Sequence, residues 1–453
     1  MEAKQTNFSI LMFPWIGHGH VFPYLELAKN LSNKNFDIFF CSTAVNLSSI
    51  SDALEKSSST MSIQLVELHL PLLSELPPHF HTTKNVPPDL MPKLFETFQM
   101  STSSFSNIIS SIRPDMLIYD VFQPWAAKIA SSLGIPAVHF ATSGAAPYSF
   151  YFHYFISANS AFPYEAMYLR DHERKALEAM VPSDRRDRQK DQDSGFDHFN
   201  LSYDIVLMRT CRTIEGKYID HLSFLCKRKL VPVGPLVTHA NSEEGKHAEI
   251  MEWLSKKNQF STVFISFGSE NYLSKDQMVE IAKGLEACNV NFVWVVRSPL
   301  GERVSIEEVL PTGFLDRVKD RGMILQRWAP QTKILAHPST GAFLSHCGMS
   351  SIIESIYFGV PVIAMPLKLD QPLNARLLVE AGVGVEVGRD ENGGFGGADV
   401  TDAINKVVVE ETGEVMRLKA AELSEKMKNE EEDAVNGAAD QLRRLCVEHK
   451  LQK

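Results

Sequence analysis

The stretch from Trp328 to Gln371 contains residue types that together suit the binding of a phosphorylated ligand. Its apolar run Gly341–Ser345 is typical of a buried strand, and apolar residues recur at helical spacing across Ser350–Phe358. Between them, His346–Gly348 forms a predicted turn. Free backbone N–H groups and the helix dipole would both point at this turn, which is therefore a predicted anion site. The alternative is an ordinary strand–helix–strand unit that binds no ligand.

Polar residues around the turn are suited to hold the rest of such a ligand. Ser350 or Ser351 is predicted to cap the helix N-terminus. Glu354 falls one helical turn further along, where a carboxylate can accept hydrogen bonds from ligand hydroxyl groups. A second buried strand, PVIAMPL, ends just before Asp370 and Gln371. Open α/β sheets bind ligands at the carboxyl ends of their strands, so these two residues belong to the same predicted site.

The same segment resembles the donor-binding signature of plant family 1 UDP-sugar-dependent glycosyltransferases. It begins with W-A-P-Q, continues with H-C-G and a Glu, and closes with D-Q over 44 residues. The resemblance implies an α/β protein of the GT-B fold, with two Rossmann-like, doubly wound domains facing each other across a cleft. It also implies a UDP-sugar donor site formed by Ser269, Trp328, Ala329, Gln331, His346, Gly348, Met349, Ser350, Ser351, Glu354, Asp370 and Gln371.

The resemblance also implies a role for each part of this site. Trp328 would stack on uracil, and Gln331 and Glu354 would lie near the ribose. The remaining assignments are His346, Ser350 and Ser351 for the diphosphate, and Asp370 and Gln371 for the hydroxyl groups of the sugar. Gln371 as the closing residue favours glucose as the transferred sugar.

Two positions depart from the family pattern, since Met349 stands where Trp is usual and Ser350 where Asn is usual. Methionine can cover a sugar face but lacks the rigid ring and the indole N–H. Serine can donate one hydrogen bond with a shorter reach than an amide. The loss of one such contact costs about 0.5–1.5 kcal/mol, which would weaken or alter the use of the donor without abolishing it.

A candidate general base lies near the N-terminus, in the pattern Gly19-His20-Val21-Phe22-Pro23. The family places its catalytic histidine in this G-H-x-x-P pattern, in a loop after the first strand. A helix that starts here, at Pro23, would favour the neutral imidazole that a general base requires. His18 is the rival candidate, and a structural role for either histidine is the remaining alternative.

Asp120 is the candidate partner of this base, because it follows the predicted strand DMLIYD and matches the catalytic aspartate of the family. A carboxylate can fix the tautomer of a histidine and stabilise the imidazolium that forms. The alternative is a helix cap before PWAAKIA. The resemblance implies an inverting transfer that requires neither a metal nor a cofactor, in which His20 deprotonates an acceptor hydroxyl group and UDP-glucose is a co-substrate.

The acceptor is inferred from further similarity along the chain. Segments such as FPWxxGH, LPPHxHTT, IYDxxQPWA and VPVGPL resemble a plant subgroup that adds a sugar to a sugar already attached to a flavonoid, a triterpenoid or a similar compound. The residues predicted to contact the acceptor are Trp15, Phe122, Thr142, Ser143 and Tyr148. One alternative is transfer directly to an aglycone hydroxyl or carboxyl group. Another is a UDP-binding protein with weakened catalysis.

The composition excludes several other classes of protein. The chain has 453 residues and a net charge of −10, and it has no long basic run, which argues against binding of nucleic acid or anionic membranes. It contains neither a signal-peptide pattern nor an uninterrupted apolar run of about 18 residues. The six cysteines are scattered, so we expect a reduced cytoplasmic protein without disulfides or zinc. Nothing in the sequence requires more than a monomer.

Strand and helix patterns alternate along the chain, which predicts parallel, doubly wound sheets. The predicted domain limits are an acceptor-binding domain at 1–238, a linker at 239–248, a donor-binding domain at 249–429 and a terminal helix at 430–453. A charge-rich stretch near 180–200 is predicted to be a mobile surface loop. It contains Asp191-Gln192-Asp193, which fits the DxD metal motif of another glycosyltransferase fold, but no metal site is predicted there because the context is a charge run.

Overall fold

The computed structural model describes residues 7–55, 61–156, 160–180, 196–238, 247–297, 305–326 and 328–452. The predicted loop with Asp191 and Asp193 and most of the predicted linker 239–248 lie outside these residues. None of the described helices is long and apolar enough to cross a membrane. All six cysteines fall within the described residues, and each is a buried free thiol.

The described strands belong to two sheets in which all neighbouring strands are parallel. They are β1 (Phe8–Phe13), β2 (Phe36–Ser42), β3 (Ile63–Glu67), β4 (Met116–Tyr119), β5 (Ala137–Ala141), β6 (Ile205–Met208), β7 (Lys229–Pro232), β8 (Thr262–Ser266), β9 (Asn291–Val295), β10 (Gly322–Leu325), β11 (Thr340–Ser345), β12 (Val362–Ala364) and β13 (Gly384–Glu386).

Helices alternate with these strands along the chain. They are α1 (His18–Ser32), α2 (Ala44–Glu55), α3 (Met91–Gln99), α4 (Thr102–Ile112), α5 (Pro124–Ser132), α6 (Ala145–Ile156), α7 (Asp171–Met180), α8 (Asp197–Asn200), α9 (Arg212–Cys226), α10 (Ala248–Ser255), α11 (Lys275–Ala287), α12 (Ile306–Val309), α13 (Phe314–Val318), α14 (Gln331–Leu335), α15 (Met349–Tyr357), α16 (Gln371–Glu380), α17 (Gly397–Val408) and α18 (Glu411–Leu451), with short 3₁₀ turns at Pro78–Phe80 and Pro88–Leu90.

Residue contacts divide the chain into two compact units. The first comprises residues 1–156, 189–238 and 429–453, and the second comprises residues 157–188 and 239–428. The assignment of the predicted domains to acceptor and donor binding stays a prediction.

The sheet of the first unit has the strand order β3-β2-β1-β4-β5-β6-β7. Strands such as β4, with the sequence MLIY, are buried along their whole length, as expected for a parallel sheet covered on both faces. Alternate residues of β1 point to opposite faces, so Ile10 packs in one hydrophobic core and Leu11 in the other. Leu442 and Leu445, near the end of α18, pack in the same core as Ile10.

The sheet of the second unit has the order β10-β9-β8-β11-β12-β13. The first four strands of this unit in chain order are arranged as they are in the first sheet. In each sheet the first of them (β1 or β8) lies between the second (β2 or β9) and the fourth (β4 or β11). Val263 and Phe264 of β8 point into two cores on opposite faces. The doubly wound parallel sheets that the sequence predicts are therefore present in both units.

Ion pairs attach α7 to the second unit. The Arg376 side chain of α16 is 2% exposed, and one of its Nη atoms lies 2.8 Å from Glu173 of α7. Arg376 also lies 3.2 Å from Glu386, which pairs with Arg170 at 2.8 Å. Removing one partner of a buried ion pair leaves the other charge buried and uncompensated, which is unfavourable. This network therefore stabilises the position of α16.

Several predicted elements have other limits in the structure. The residue pattern near 90–112 predicts one helix, whereas the structure contains two, α3 and α4, separated at Met100 and Ser101. The Gly-rich segment 382–388 predicts a turn, whereas the structure contains the parallel strand β13 there. The pattern over 399–428 predicts a helix, and a separate terminal helix is predicted at 430–453, whereas the structure contains α17 and the single long helix α18.

Candidate functional site

The carboxyl ends of β1 and β4 bring His20 and Asp120 together in the first unit. These strands are neighbours at the point where the strand order reverses, and loops that leave such strands in opposite directions open a crevice. His20 Nδ1 lies 2.9 Å from Asp120 Oδ2 and 3.1 Å from Oδ1. The His20 side chain is 23% exposed, whereas that of Asp120 is 1% exposed. The imidazole is thus accessible and its carboxylate partner is not.

The hydrogen bonds of Asp120 determine the tautomer of His20. The carboxylate accepts the backbone N–H of Trp15 at 3.3 Å and that of Val121 at 2.7 Å. Since an ionised carboxylate can only accept, a neutral His20 carries its proton on Nδ1 and leaves Nε2 unprotonated. Thr142 Oγ1 lies 3.0 Å from the same Nδ1. This arrangement can remove a proton from a hydroxyl group that approaches Nε2.

His20 lies in the first turn of α1, not in a loop before the helix. The helix begins at His18 with Gly17 as its N-cap, and the backbone N–H groups of His20 and Val21 both bond to the Gly17 oxygen at 2.9 Å. The predicted start at Pro23 is wrong because that proline lies inside the helix, where it removes only one hydrogen bond. The His18 ring is buried and packs edge-on against Phe22, 5.0 Å between ring centroids.

Asp120 does not cap α5. The N-cap of that helix is Gln123, whose side chain donates to the backbone oxygen of Phe13 at 2.6 Å. The carboxylate of Asp120 instead faces His20 and the backbone of Trp15. The alternative of a helix cap is therefore not what the structure contains.

His139 of β5 lies behind this pair and is fully buried. Burial lowers its pKa to about 4, although the nearby Asp120 charge acts in the opposite direction. Its Nδ1 bonds to the Tyr119 backbone oxygen at 3.1 Å. A neutral His139 adds no positive charge that would compete with His20 for Asp120.

An aromatic surface adjoins His20. The Phe122 ring lies 5.5 Å from the His20 ring and 5.1 Å from the Trp15 ring, measured between centroids. Phe95 of α3 extends this surface, at 5.6 Å from Trp15 and 6.0 Å from Phe122. Phe122 is 37% exposed and Phe95 41% exposed, so apolar ring faces are open beside the base. Sequence reasoning missed Phe95, whose only signal was an aromatic residue on the exposed face of a helix.

The other predicted acceptor residues follow β5. Thr142 is buried against His20, Ser143 is half-buried, and Tyr148 packs on Phe199 at 5.2 Å between ring centroids. The buried carboxylate of Glu215 accepts the backbone N–H of Ala146 at 2.7 Å, near the start of α6. Glu215 thereby fixes the helix that follows the Thr142 loop, and sequence reasoning did not identify it.

In the second unit, His346 lies where β11 ends, beside the end of β8, and this pair again marks the reversal of strand order. Its ring is enclosed by two glycines. A Cβ atom on Gly268 would lie 2.8 Å from His346 Cε1, and one on Gly348 would lie 2.5 Å from Nε2. Gly268 also has a φ of +76°, which favours glycine. Any larger residue at either position would displace the imidazole.

Gly348, not Ser350 or Ser351, is the N-cap of α15, and no side chain caps this helix. The prediction of a serine cap is wrong because the helix already begins at Met349. Both serines consequently fall in the first helical turn. There the hydroxyl of Ser351 accepts a hydrogen bond from Gln331 Nε2 at 3.3 Å.

Burial lowers the pKa of His346 to about 4, and the positive charge of Lys368 acts in the same direction. The ring is therefore neutral near pH 7. It can offer a hydrogen bond to an anion but no net charge.

The predicted ribose-binding residues are in mutual contact. Gln331 Nε2 donates to Glu354 Oε2 at 2.8 Å, which joins the start of α14 to the inner turn of α15. Trp328 is 56% exposed, and the guanidinium of Arg297 lies 6.0 Å from its ring centroid. An exposed indole face in this place is suited to stack on a planar base.

The remaining predicted donor residues lie around the same turn. Gln371 is buried, and its Oε1 accepts the backbone N–H groups of Leu367 and Lys368, both at 3.0 Å. Asp370 Oδ2 accepts from Asn374 Nδ2 at 3.2 Å. Met349 and Ala329 are buried, and Ser269 and Ser350 are half-buried. Among the described residues, no three or more His, Cys, Asp or Glu side chains are arranged to hold a metal ion.

Comparison with known proteins identifies the family. Residues 228–428 match the family model of UDP-glucoronosyl and UDP-glucosyl transferases, and residues 6–238 match the glycosyltransferase N-terminal domain. The chain belongs to the UDP-glycosyltransferase family. The predicted resemblance is thus confirmed, and the chain is a glycosyltransferase enzyme that uses UDP-sugars.

Relatives of known activity cover nearly the whole UDP-glycosyltransferase chain. Mogroside IIIx synthase from Siraitia grosvenorii is 48% identical over 96% of this chain and 92% of its own length. Beta-D-glucosyl crocetin beta-1,6-glucosyltransferase from Gardenia jasminoides is 46% identical over 96% of this chain and 99% of its own. The crystal structure of UGT73P12 from Glycyrrhiza uralensis has a TM-score of 0.85 at 24% identity, covering 99% of this chain and 97% of that one. The predicted GT-B fold is confirmed.

The tight packing of His346 predicts the effect of Gly348→Ala. The added Cβ would lie 2.5 Å from Nε2, so the ring must move, and kcat/KM for the UDP-sugar should fall at least about tenfold. Gly437→Ala is the matched control, because a Cβ in that helical position meets nothing within 4 Å. It should leave kcat/KM unchanged and stabilise the protein by about 0.5–1 kcal/mol. Wild-type activity in Gly348→Ala would contradict the described position of His346.

The two buried histidines predict a loss of stability in mild acid. The pKa of His139 and that of His346 are each lowered to about 4, from an ordinary value of 6.5. Their contribution is therefore complete above pH 6.5 and is lost as the pH falls toward 4, by about 2 kcal/mol for each histidine at pH 5. Differential scanning calorimetry between pH 7.5 and 5 should show a falling Tm, with a weaker dependence in His139→Gln. A constant Tm between pH 7.5 and 5 would contradict the lowered pKa values of His139 and His346.

Proposed function

We propose that this enzyme transfers glucose from UDP-glucose to a sugar hydroxyl group of a plant glycoside, with inversion at the anomeric carbon. The observation that carries the proposal is the hydrogen-bonded pair of His20 and Asp120 beside an exposed aromatic surface, in a chain of the UDP-glycosyltransferase family. The proposed acceptors are glycosides of triterpenoids or flavonoids.

The names of the two relatives favour a glycoside acceptor. The Gardenia enzyme is named for β-glucosyl crocetin, a compound that already bears a sugar, and for the β-1,6-glucosyl linkage. The Siraitia enzyme is named for the synthesis of a mogroside. Both names concern those proteins, and their similarity over almost the full length of this chain supports the same class of acceptor here.

The proposed reaction starts with the acceptor hydroxyl near His20 Nε2. As the acceptor oxygen attacks the anomeric carbon of the α-linked donor, its proton passes to Nε2. The bond between the anomeric carbon and the phosphate oxygen breaks, and UDP leaves with the electron pair. Asp120 stabilises the imidazolium that forms, because its carboxylate lies 2.9 Å from Nδ1. The product is a β-glycoside.

The proposed acceptor site follows from the surroundings of the base. The open faces of Phe95 and Phe122 are suited to an apolar aglycone or to the apolar face of a sugar. Trp15 and Thr142 support this surface from the buried side. Ser143 and Tyr148 complete the proposed acceptor set.

The proposed donor site binds UDP through hydrogen bonds and the helix N-terminus, without a metal or a further cofactor. Trp328 would stack on uracil, and Gln331 with Glu354 would hold the ribose. His346 and the first turn of α15 would meet the diphosphate, where orphan backbone N–H groups stabilise the leaving anion. Met349 is buried beside this turn, and we propose that it tunes the choice of sugar and does not abolish transfer.

We also propose a cytoplasmic monomer. The six buried free thiols support a reducing compartment. Size-exclusion chromatography with light scattering would test the oligomeric state.

The proposed acceptor class can be tested by the mass of the products formed from UDP-glucose. The acceptors would be triterpenoid and flavonoid monoglucosides beside their bare aglycones. We expect addition of hexose to the monoglucosides only, at a rate reduced at least about 100-fold in His20→Ala because the base is lost. The matched control is His69→Ala, since that side chain is 75% exposed and should leave the rate unchanged.

Other outcomes of this experiment distinguish the alternatives. Hexose added to the bare aglycones would contradict the glycoside acceptor and indicate direct transfer to an aglycone. UDP binding without transfer to any acceptor would indicate a UDP-binding protein. Met349 and Ser350 would then be the positions at which to introduce the Trp and Asn that are usual in the family. An unchanged rate in His20→Ala would contradict the assignment of the base.

A further inference from the structure

Lys368 carries a positive charge that the donor signature does not assign. It lies in the loop between β12 and α16, and its Nζ donates to the backbone oxygen of Glu270 at 3.3 Å. Glu270 belongs to the loop that follows β8. In the sheet, β11 lies between β8 and β12. The Lys368 side chain therefore links the two loops that flank the carboxyl end of β11.

That end of β11 is the turn with His346 and Gly348, followed by the N-terminus of α15. The contact places the ammonium group beside Glu270, the residue that follows the predicted donor residue Ser269. Its charge also acts on His346, where it adds to burial in lowering the pKa.

The balance of charge near this turn suggests that Lys368 would offset the negative charge of a bound diphosphate. A nucleoside diphosphate brings at least two negative charges, and the neutral His346 supplies no positive charge to offset them. Arg297 is also a cation of this region, since its guanidinium lies 6.0 Å from the ring centroid of Trp328 and its Nη1 lies 3.5 Å from the backbone oxygen of Gly268. Lys368 is a second cation of this region, and its charge acts on His346 in the turn.

We propose that Lys368 binds the diphosphate of the UDP-sugar and stabilises UDP as the leaving group. The inference rests on the proposed function and deepens it, because it adds an electrostatic residue for the same donor. An ammonium group has three donors, so it can keep the bond to Glu270 while it bonds to a phosphate oxygen. A bond to an anionic oxygen is stronger than the present bond to a neutral carbonyl.

Gln371 holds the loop that carries this lysine. Its Oε1 accepts the backbone N–H of Lys368 and that of Leu367, both at 3.0 Å. The last residue of the signature therefore fixes the backbone from which Lys368 reaches the turn. In this role Gln371 is a positioning residue, beside its proposed contact with the sugar.

The test compares the dissociation constants of UDP and of uridine for the full-length protein, measured by calorimetry. Lys368→Gln should weaken UDP binding about tenfold and leave uridine binding unchanged, because only UDP carries the diphosphate. Lys368→Arg should restore UDP binding to within about threefold of the wild type, since it keeps the charge. Lys256→Gln is the matched control, since this lysine pairs with Glu252 on the exposed surface of α10 and should leave both constants unchanged.

Each remaining result would overturn the inference. Equal weakening of UDP and uridine would indicate a general disturbance of the pocket, and unchanged UDP binding in Lys368→Gln would indicate that no contact is made. Lys368 is exposed, so we expect the variant to keep the wild-type Tm. Failure of the wild-type protein to bind UDP would contradict the proposed donor site itself. An error confined to the role of Lys368 would instead leave UDP binding by the wild-type protein intact.

Discussion

The reversal of strand order within each sheet is the constraint on which both groups of candidate residues depend. In the first unit the chain leaves β1 and β4 in opposite directions, so their carboxyl ends remain open. His20 and Asp120 follow these two strands and meet across 100 positions of sequence. The second unit repeats the arrangement at β8 and β11, where Gly268 and His346 meet. One topological feature thus positions the proposed base in one unit and the proposed anion-binding turn in the other.

Burial of polar groups gives these places their chemistry. Asp120 is almost inaccessible, and a buried carboxylate without partners would cost several kcal/mol. The structure supplies His20 and two backbone N–H groups as partners, and these contacts also fix one tautomer of the imidazole. The surroundings of His346 differ from those of His20. Two glycines, Gly268 and Gly348, enclose the His346 ring, and burial keeps it neutral. A neutral histidine can donate a hydrogen bond but brings no positive charge to the turn.

The sequence predicted the parallel sheets from local features, whereas the pairing of His20 with Asp120 was predicted from the resemblance to the family and from the position of Asp120 just after a strand. A buried strand is visible in a run such as DMLIYD, and a residue just after it must lie at the sheet edge. The start of α1 was not predictable in the same way, since Pro23 usually marks a first helical turn and here lies inside the helix. The N-cap at Gly348 was missed because it depends on how closely the His346 ring approaches the backbone.

Contacts between distant segments left no pattern in the sequence. Glu173 and Arg376 lie 203 positions apart, and neither stands in a motif that indicates the other. Phe95 contributes to the surface beside the base only because α3 packs against Trp15. The contact of Lys368 with Glu270 depends on the position of β11 between two other strands. Such features follow from tertiary packing, which local periodicity does not encode.

We expect Asp120 to act through the tautomer and the charge of His20. The most direct measurement is kcat for Asp120→Asn, with the Tm as a check on folding. Asparagine keeps the shape, but it can present a donor to Nδ1 and cannot stabilise an imidazolium. We expect kcat to fall by about 10²–10⁴-fold with KM for the acceptor nearly unchanged. A kcat within about threefold of the wild-type value, in a protein with the wild-type Tm, would contradict the account.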